Sequence, residues 1–173
     1  MRILISSDHA GFELKEKICA FLRKRGYDVA DLGPHEYDPQ DDYPDFVAPL
    51  AAEVSENPAE TRGIVIGGSG YGEAIMANRF PLVRAITFNG QYRPLDGREV
   101  PNLIKLSREH NDSNVLALGA RFLSEVEAKE ALALWLEVAF SGEERHKRRL
   151  QKIEMLSPLA RSERPSDEEK VYD

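Results

Sequence analysis

The chain has 173 residues, of which 42% are hydrophobic and 31% charged, and its formal net charge is −7. This length fits one α/β domain with a real core, and the acidic balance argues against nucleic acid as a partner. The single cysteine, Cys19, excludes an intrachain disulfide and a cysteine-based metal site. Because no apolar run has transmembrane length and no signal peptide is evident, we expect a cytoplasmic protein without membrane contact.

Short apolar runs alternate with amphipathic stretches along the chain. The runs predict strands at residues 2–6, 28–32, 63–66, 84–88 and 114–118. The stretches between and after them predict helices at about 12–25, 42–55, 73–78, 102–108, 124–140 and 143–156. This alternation predicts an α/β fold, with a five-stranded parallel sheet and helices on both faces. Residues 1–157 form the single predicted domain, and residues 158–173 a flexible, charged tail.

A glycine-rich loop follows the third predicted strand. Residues 67–73 read Gly-Gly-Ser-Gly-Tyr-Gly-Glu and lead into a helix. Glycines let the backbone bend tightly and let a ligand approach the N–H groups, which suits an oxyanion or a phosphate. Glu73 adds a potential proton acceptor. The alternative is a plain strand-to-helix turn, although four glycines in six positions exceed what a turn needs.

Polar residues also follow the first and last strands. Asp8 and His9 could grip sugar hydroxyls or a ring oxygen, although Asp8 could equally cap the following helix. Arg121 follows the last strand and could complete a phosphate clamp. Ligands of parallel sheets bind at the carboxyl ends of the strands, so we expect these loops to share one site.

Two further polar segments carry candidate residues. Residues 108–114 are all polar, and His110 among them could act as an acid or base near neutral pH, or the segment could be a satisfied polar turn. Arg145 and Arg149 lie one turn apart on the last predicted helix, with His146 beside them. The two arginines can converge on one anion, or they can belong to a solvated basic face.

Several common sites are excluded by the sequence. It contains no Ser-His-Asp signature and no P-loop, and its four histidines are scattered. The glycine loop lies in mid-chain, without the acidic residue that follows a dinucleotide-binding fingerprint. We therefore expect neither a metal ion nor a cofactor.

Seven short motifs occur together and in order. They are Ser-Asp-His-Ala-Gly (7–11), Asp-Tyr-Pro-Asp (42–45), Gly-Gly-Ser-Gly-Tyr-Gly-Glu (67–73), Ala-Asn-Arg (77–79), Ser-Arg-Glu-His-Asn-Asp (107–112), Leu-Gly-Ala-Arg (118–121) and Arg-His-x-x-Arg (145–149). Through them the chain resembles the ribose-5-phosphate isomerase type B / galactose-6-phosphate isomerase family over about residues 1–156.

The resemblance implies a fold, an activity and an assembly. The fold is a Rossmann-like three-layer sandwich, and the activity is metal-independent aldose–ketose isomerisation of a sugar phosphate. The assembly is a homodimer or homotetramer with its active site between two subunits. Conversion of ribose 5-phosphate to ribulose 5-phosphate, in the pentose phosphate pathway, is the leading prediction. The alternatives are an isomerase of a hexose 6-phosphate, such as allose or galactose 6-phosphate, and a non-catalytic phosphosugar-binding module.

The resemblance also assigns the catalytic base. Many members carry a catalytic cysteine at the position of Gly67, whereas a second branch reads Gly-Gly-Ser-Gly-x-Gly-Glu. This sequence matches the second branch, so the base that moves the proton from C2 to C1 is Glu73. His110 and Asp8 then assist the opening of the sugar ring.

Further roles follow from the same resemblance. Ser69 and backbone N–H groups of residues 68–72 hold the enediolate oxygen, and Asn111 binds sugar hydroxyls. The phosphate is held by Arg121, Arg145 and Arg149, with His9 or His146. The substrate-binding residues are thus His9, Gly67, Gly68, Gly70, Gly72, Asn111, Arg121, Arg145, His146 and Arg149.

One segment departs from the family pattern. The chain is longer than typical members between residues 84 and 110, and the extra residues fall in the segment 89–101. Loops of this length without regular structure are usually functional or mobile. The segment could line the pocket or reach a neighbouring subunit, so it leaves the size of the sugar open.

Overall fold

The computed structural model describes residues 1–92 and 94–156, so the predicted tail at 158–173 lies outside the described residues. The strands are β1 (Arg2–Ser7), β2 (Asp28–Asp31), β3 (Thr61–Gly67), β4 (Ala85–Phe88) and β5 (Val115–Gly119). The helices are α1 (Phe12–Lys24), α2 (Tyr43–Glu56), α3 (Tyr71–Ala77), α4 (Leu103–Asn111), α5 (Glu125–Glu137) and α6 (Glu144–Leu156).

The five strands form one parallel sheet in the order β2-β1-β3-β5-β4, which confirms the predicted fold class. After β1 the chain moves outward to β2 and then returns to place β3 on the other side of β1. The direction of winding therefore reverses between β1 and β3. In open parallel sheets, a crevice forms at such a switch point, outside the carboxyl ends of the strands.

Strand residues alternate between two buried layers. Ile3 and Ile5 of β1 face the layer that α1, α4 and α5 form, and Trp135 is the largest side chain buried there. Leu4 faces the opposite layer, which α2 and α3 form. Because both faces of the sheet are covered, the strands are apolar on both sides, as is typical of parallel sheets. Among residues 1–92 and 94–156, each helix is too short or too polar to span a lipid bilayer.

A buried lysine ties α1 to the edge strand β2. The Lys15 side chain is fully buried, and its Nζ lies 2.7 Å from a carboxylate oxygen of Asp31 and 2.7 Å from one of Glu16. A buried ammonium needs such partners, because unpaired burial of a charge is costly. This contact fixes the edge of the sheet next to the first βα loop.

Two helix ends differ from the prediction. Helix α4 continues to Asn111, so His110 lies in its last turn rather than in a polar loop, and the helix ends at Asp112 in a left-handed conformation. Helix α5 ends at Glu137 rather than near residue 140. Val138 is extended, and its carbonyl accepts a hydrogen bond from Arg108 Nε at 3.1 Å. This tertiary contact, which the local sequence does not encode, turns the chain away from the helix.

Candidate active site

A pocket of about 420 Å³ lies at the switch point between β1 and β3. Its lining comes from the loop after β1, the start of α2, the glycine loop with the start of α3, and the turn after β5. The lining residues are Asp8, His9, Ala10, Tyr43, Gly68, Ser69, Gly72, Glu73, Arg121 and Phe122. We call this the Glu73 pocket. The sequence predicted that the loops after the first, third and last strands share one site, and the structure brings these three loops together here.

Glu73 supplies the buried carboxylate of the pocket. It lies in the first turn of α3, and only 4% of the residue is exposed. Burial raises the pKa of Glu73 above its ordinary value, a backbone hydrogen bond opposes this rise, and the Asp8 carboxylate adds to it. A carboxylate with a raised pKa is a stronger proton acceptor than an exposed one, which suits proton transfer near neutral pH.

Gly67 leaves the space that the Glu73 carboxylate occupies. A Cβ atom at position 67 would lie 1.7 Å from Oε1 of Glu73 and 2.2 Å from its Cδ. These distances are far inside van der Waals contact, so a side chain at 67 and the carboxylate cannot share this arrangement. Gly67 is therefore the floor beneath Glu73 and does not line the pocket itself.

Asp8 lines the pocket and also makes a turn hydrogen bond, but it does not cap α1. Its Oδ1 accepts a hydrogen bond of 3.1 Å from the Gly11 N–H, at the entrance to α1. The same side chain is 8% exposed and lines the pocket. The turn contact therefore fixes the carboxylate in place while leaving it in reach of a ligand.

Arg121 brings positive charge to the pocket. The turn after β5 is tied to the glycine loop, because the Ala120 and Arg121 N–H groups donate to the carbonyls of Gly67 and Gly68 at 2.8 and 3.2 Å. The Arg121 guanidinium packs over Gly68, where an added Cβ would lie 3.1 Å from Cζ. The pocket thus places a guanidinium beside a glycine loop, an arrangement suited to an anionic group.

Gly70 does not line the pocket, and Asn89, a residue outside the pocket, stabilises the glycine loop. Gly70 has a φ of 77°, a left-handed conformation that favours glycine, and is buried. The Ser69 carbonyl accepts a hydrogen bond of 2.9 Å from Asn89 Nδ2, and Ser69 Oγ accepts one of 3.4 Å from the Tyr71 N–H. Asn89 was not predicted as a site residue; it is the contact through which the segment 89–101 reaches the loop.

The other five predicted residues lie outside this pocket. His110 and Asn111 end α4, and Arg145, His146 and Arg149 lie on α6. The two groups meet where the rings of His110 and His146 are 4.2 Å apart and the Ser141 N–H donates to the Glu109 carbonyl at 3.1 Å. We call these five residues the α4–α6 cluster.

The α4–α6 cluster lies at the end of the sheet opposite the Glu73 pocket, where the strands begin. The end of α4 leads through Asp112 to Asn114, immediately before β5. Asn114 Oδ1 accepts from the N–H of Arg84, the residue before β4, at 2.7 Å. The cluster is therefore near the amino ends of β4 and β5. The Glu73 pocket lies at the carboxyl ends, roughly 13 Å away along a five-residue strand.

Within the cluster, only the histidine of α6 is buried. His146 is 1% exposed, and its Nδ1 lies 2.9 Å from Ser141 Oγ, while its Nε2 has no hydrogen-bond partner among the described residues. Burial lowers the pKa of His146, and His110 and Arg145 add to this effect, so the neutral form of the ring is favoured. Arg145 and Arg149 are exposed, and Arg145 Nε donates to Glu143 at 2.7 Å.

Three residues near the pocket had no predicted role. Tyr43 packs over Gly72, and Phe122 extends the wall beyond Arg121. Asp41 lies behind His9, with its Oδ1 2.7 Å from His9 Nδ1. Tyr43 belongs to the motif Asp-Tyr-Pro-Asp (42–45), which could have indicated a role. No signal in the sequence connects Asp41 to a histidine 32 residues earlier.

We predict that Glu73→Gln stabilises the fold at neutral pH. The raised pKa of Glu73 means that the folded state favours its protonated form, so stability falls as the pH rises from the ordinary glutamate pKa to the raised one, and the full cost remains above it. Glutamine removes this cost. Thermal melts should give the variant a higher melting temperature than the wild type at pH 7, with a smaller difference at pH 4. A lower melting temperature at pH 7 would contradict the assigned environment.

The fold and the pocket define a Rossmann-like α/β protein whose switch-point pocket joins a buried carboxylate, a glycine loop and an arginine. Residues 3–153 match the Ribose/Galactose Isomerase family. The chain belongs to this family.

Curated relatives and solved structures agree with this assignment. The chain is 36% identical over 151 residues to ribose-5-phosphate isomerase B of Mycolicibacterium paratuberculosis, covering 87% of each chain. It is 36% identical over 152 residues to the Escherichia coli enzyme of the same name, covering 88% of this chain and 93% of the relative. Ribose-5-phosphate isomerase B from Mycoplasma genitalium, with bound ribulose-5-phosphate, superposes with a TM-score of 0.80 at 35% identity, covering 89% and 94%. The Clostridium thermocellum enzyme gives 0.78 at 41% identity, covering 90% and 96%.

Proposed function

We propose that the protein is a sugar-phosphate isomerase that interconverts ribose 5-phosphate and ribulose 5-phosphate. One observation carries the proposal: the buried Glu73 carboxylate lines a pocket that Arg121 and residues of the glycine loop also line. An aldose–ketose isomerase needs a base at the reacting carbon and a fixed anion site at the far end of the substrate. The relatives named as ribose-5-phosphate isomerase B support the choice of a pentose phosphate.

The proposed chemistry is a proton transfer within the open-chain sugar. Asp8 and His110 assist ring opening. The Glu73 carboxylate then removes the C2 proton, the electron pair forms the C1–C2 double bond, and the carbonyl oxygen at C1 becomes the oxygen of a cis-enediolate. Glu73 returns the proton to C1, and the hydroxyl proton at O2 moves to O1 to give the ketose. Ser69 and the backbone N–H groups of the loop stabilise the negative oxygen.

The glutamate is proposed as the base in place of a cysteine. At position 67, where many family members are expected to carry the cysteine, this chain has glycine, and the Glu73 carboxylate fills the adjacent space. A cysteine side chain at position 67 and the Glu73 carboxylate would overlap. The catalytic base would therefore occupy the same volume whether it is the cysteine or the glutamate. This close approach supports the assignment to the glutamate branch.

We propose that a second copy of the chain completes each site. The α4–α6 cluster lies at the amino ends of the strands and the Glu73 pocket at their carboxyl ends. His110 and Arg149 of one copy therefore cannot reach the Glu73 of that copy. If two copies pack so that the pocket of each faces the α4–α6 cluster of the other, each site contains residues of both copies. Arg121 and His9 would then hold the phosphate from one side, and Arg145 and Arg149 from the other. Asn111 would bind sugar hydroxyls, and the buried His146 would support the His110 ring.

Exposed apolar side chains beside the pocket support this assembly. Tyr71 and Ile75 lie one turn apart on α3 and are 55% and 60% exposed, and Phe122 is 62% exposed at the rim of the pocket. Apolar groups clustered beside a ligand site are typical of a protein–protein contact. A homodimer or homotetramer would bury them.

We predict that two inactive variants restore activity when they are combined. In a mixed dimer of Glu73→Gln and His110→Asn subunits, one site carries both substitutions and the other carries neither. Random exchange of subunits should therefore recover about a quarter of wild-type turnover of ribose 5-phosphate. The measurement is turnover after the two variants are co-refolded or co-expressed.

The control combines Glu73→Gln with Ser69→Ala, whose side chains line the same pocket of one chain. Every mixed dimer then has one substitution in each site, so no site is restored. If the Glu73→Gln and His110→Asn mixture shows no more activity than this control, the two-subunit site is wrong.

The sugar itself is tested with a panel of phosphates. The described residues of the segment 89–101 border a separate surface cavity and, apart from the Asn89 contact, do not touch the Glu73 pocket. The segment therefore does not narrow the pocket of its own chain. We expect ribose 5-phosphate to give the highest kcat/KM. A higher value for allose 6-phosphate or galactose 6-phosphate would show that the preferred substrate is a hexose phosphate.

A further inference from the structure

Asp41 is a buried acid beside the Glu73 pocket that the proposed chemistry does not use. Its side chain is 7% exposed. Oδ1 accepts a hydrogen bond of 3.0 Å from the His9 backbone N–H and lies 2.7 Å from His9 Nδ1. The other oxygen, Oδ2, is buried without a hydrogen-bond partner among the residues the structure describes. Every side-chain hydrogen bond that the structure records for Asp41 is therefore directed at His9.

This double contact determines how His9 faces the ligand. One carboxylate oxygen bonds both the backbone and the ring of the same residue, so it fixes the rotation of the ring. With Nδ1 bound to Asp41, Nε2 is the ring nitrogen left for the pocket, which His9 lines with a 30% exposed side chain. A carboxylate behind an imidazole also favours the proton on Nδ1, which orients the ring as metal-site carboxylates orient histidine ligands.

We propose that Asp41 is a positioning residue that holds the His9 ring and keeps it positively charged, so that His9 and Arg121 together present two cations to the substrate phosphate. The inference rests on the proposed function and adds to it a residue that acts through His9. Positive groups on this side of the site favour a dianionic ester, because the chain as a whole is negative and Glu73 and Asp8 line the same pocket.

The charges around His9 set the direction of its titration. The hydrogen bond to Asp41 raises the pKa of His9, burial opposes this rise, the charges of Asp8 and Asp41 add to it, and Arg121 opposes it. The net pKa lies above the ordinary value for histidine. Imidazolium therefore persists to higher pH, and phosphate affinity is lost as the pH rises through this pKa.

The test removes the charge of Asp41 but retains its hydrogen-bond acceptor. Asp41→Asn can still accept from both N–H groups of His9. Asp42→Asn is the matched control, since Asp42 is an exposed neighbouring carboxylate whose side chain makes no capping hydrogen bond. The His9 ring is titrated by NMR in the ligand-free protein, with its signal assigned from a His9→Gln variant.

We expect a lower His9 pKa in Asp41→Asn and an unchanged one in Asp42→Asn. At a pH between the His9 pKa values that the NMR titration gives for Asp41→Asn and for the wild type, the KM for ribose 5-phosphate should rise about tenfold in Asp41→Asn, with kcat within about twofold of the wild type, since one charge-assisted contact to the phosphate is lost. An equal His9 pKa in the wild type and Asp41→Asn would overturn the proposal, as would an unchanged KM. If ribose 5-phosphate is not turned over, the proposed function fails. The NMR titration and the affinity for inorganic phosphate would still test Asp41.

Discussion

Replacing Glu73 with glutamine is expected to lower kcat for ribose 5-phosphate about 10³-fold, within the range that general acid–base catalysis contributes. Glutamine has nearly the same shape as glutamate, so it fits the buried site above Gly67. It cannot accept the C2 proton. Steady-state kinetics should therefore show a collapse of kcat, and binding of the phosphate ester, measured by calorimetry, should stay within a few fold of the wild type.

The matched control is Glu56→Gln, an exposed residue at the end of α2. It makes the same chemical change far from the pocket and should leave kcat unchanged. Turnover that survives Glu73→Gln would show that another group, Asp8 or His110, removes the proton. Loss of ester binding in the variant would instead indicate that Glu73 shapes the phosphate site.

Adding a single methyl group at Gly67 is expected to lower kcat/KM about 100-fold, the typical effect of moving a catalytic group by an ångström. The Cβ of Gly67→Ala would overlap the Glu73 carboxylate, with Oε1 only 1.7 Å away. The carboxylate must move or the backbone must shift, and overpacking of this kind costs about 1–3 kcal/mol of folding stability. Kinetics and chemical denaturation measure the two effects on the same variant.

A double-mutant cycle isolates the contact. In a Glu73→Ala background, the carboxylate is absent, so Gly67→Ala should cost much less stability than it does in the wild type. A coupling free energy of about 1 kcal/mol or more is expected for residues in direct contact. If Gly67→Ala costs the same in both backgrounds, the strain comes from the backbone, and Gly67 is not the floor beneath Glu73.

The parallel sheet could be predicted because its strands are local apolar runs. Residues 63–66 are apolar on both faces, and the runs alternate with amphipathic helices, so the sequence itself encodes the order of elements. The Glu73 pocket was predictable for a related reason. Asp8, Glu73 and Arg121 each follow a strand, and the carboxyl ends of parallel strands meet at one edge of the sheet.

Contacts between distant residues could not be predicted in this way. His9 and Asp41 meet because the polar segment before α2 folds over the β1 loop, and no periodicity encodes that path. Helix α5 ends early because Arg108 binds the Val138 carbonyl, a tertiary contact that overrides local helix propensity. His110 and Glu73 are far apart because His110 lies near the start of β5 and Glu73 near its end. The position of His110 could not be predicted without knowing where α4 ends.

Isomerase activity is tested by following ribose 5-phosphate in D₂O by NMR, with the wild-type protein and a chelator present. We expect ribulose 5-phosphate signals to appear and the C2 proton signal of ribose 5-phosphate to decrease, without any added metal. If the ester binds, as seen from line broadening, and yet both sets of signals stay unchanged, the protein does not isomerise this substrate. The hexose 6-phosphates would then be tried, and inactivity on them would leave a phosphosugar-binding protein.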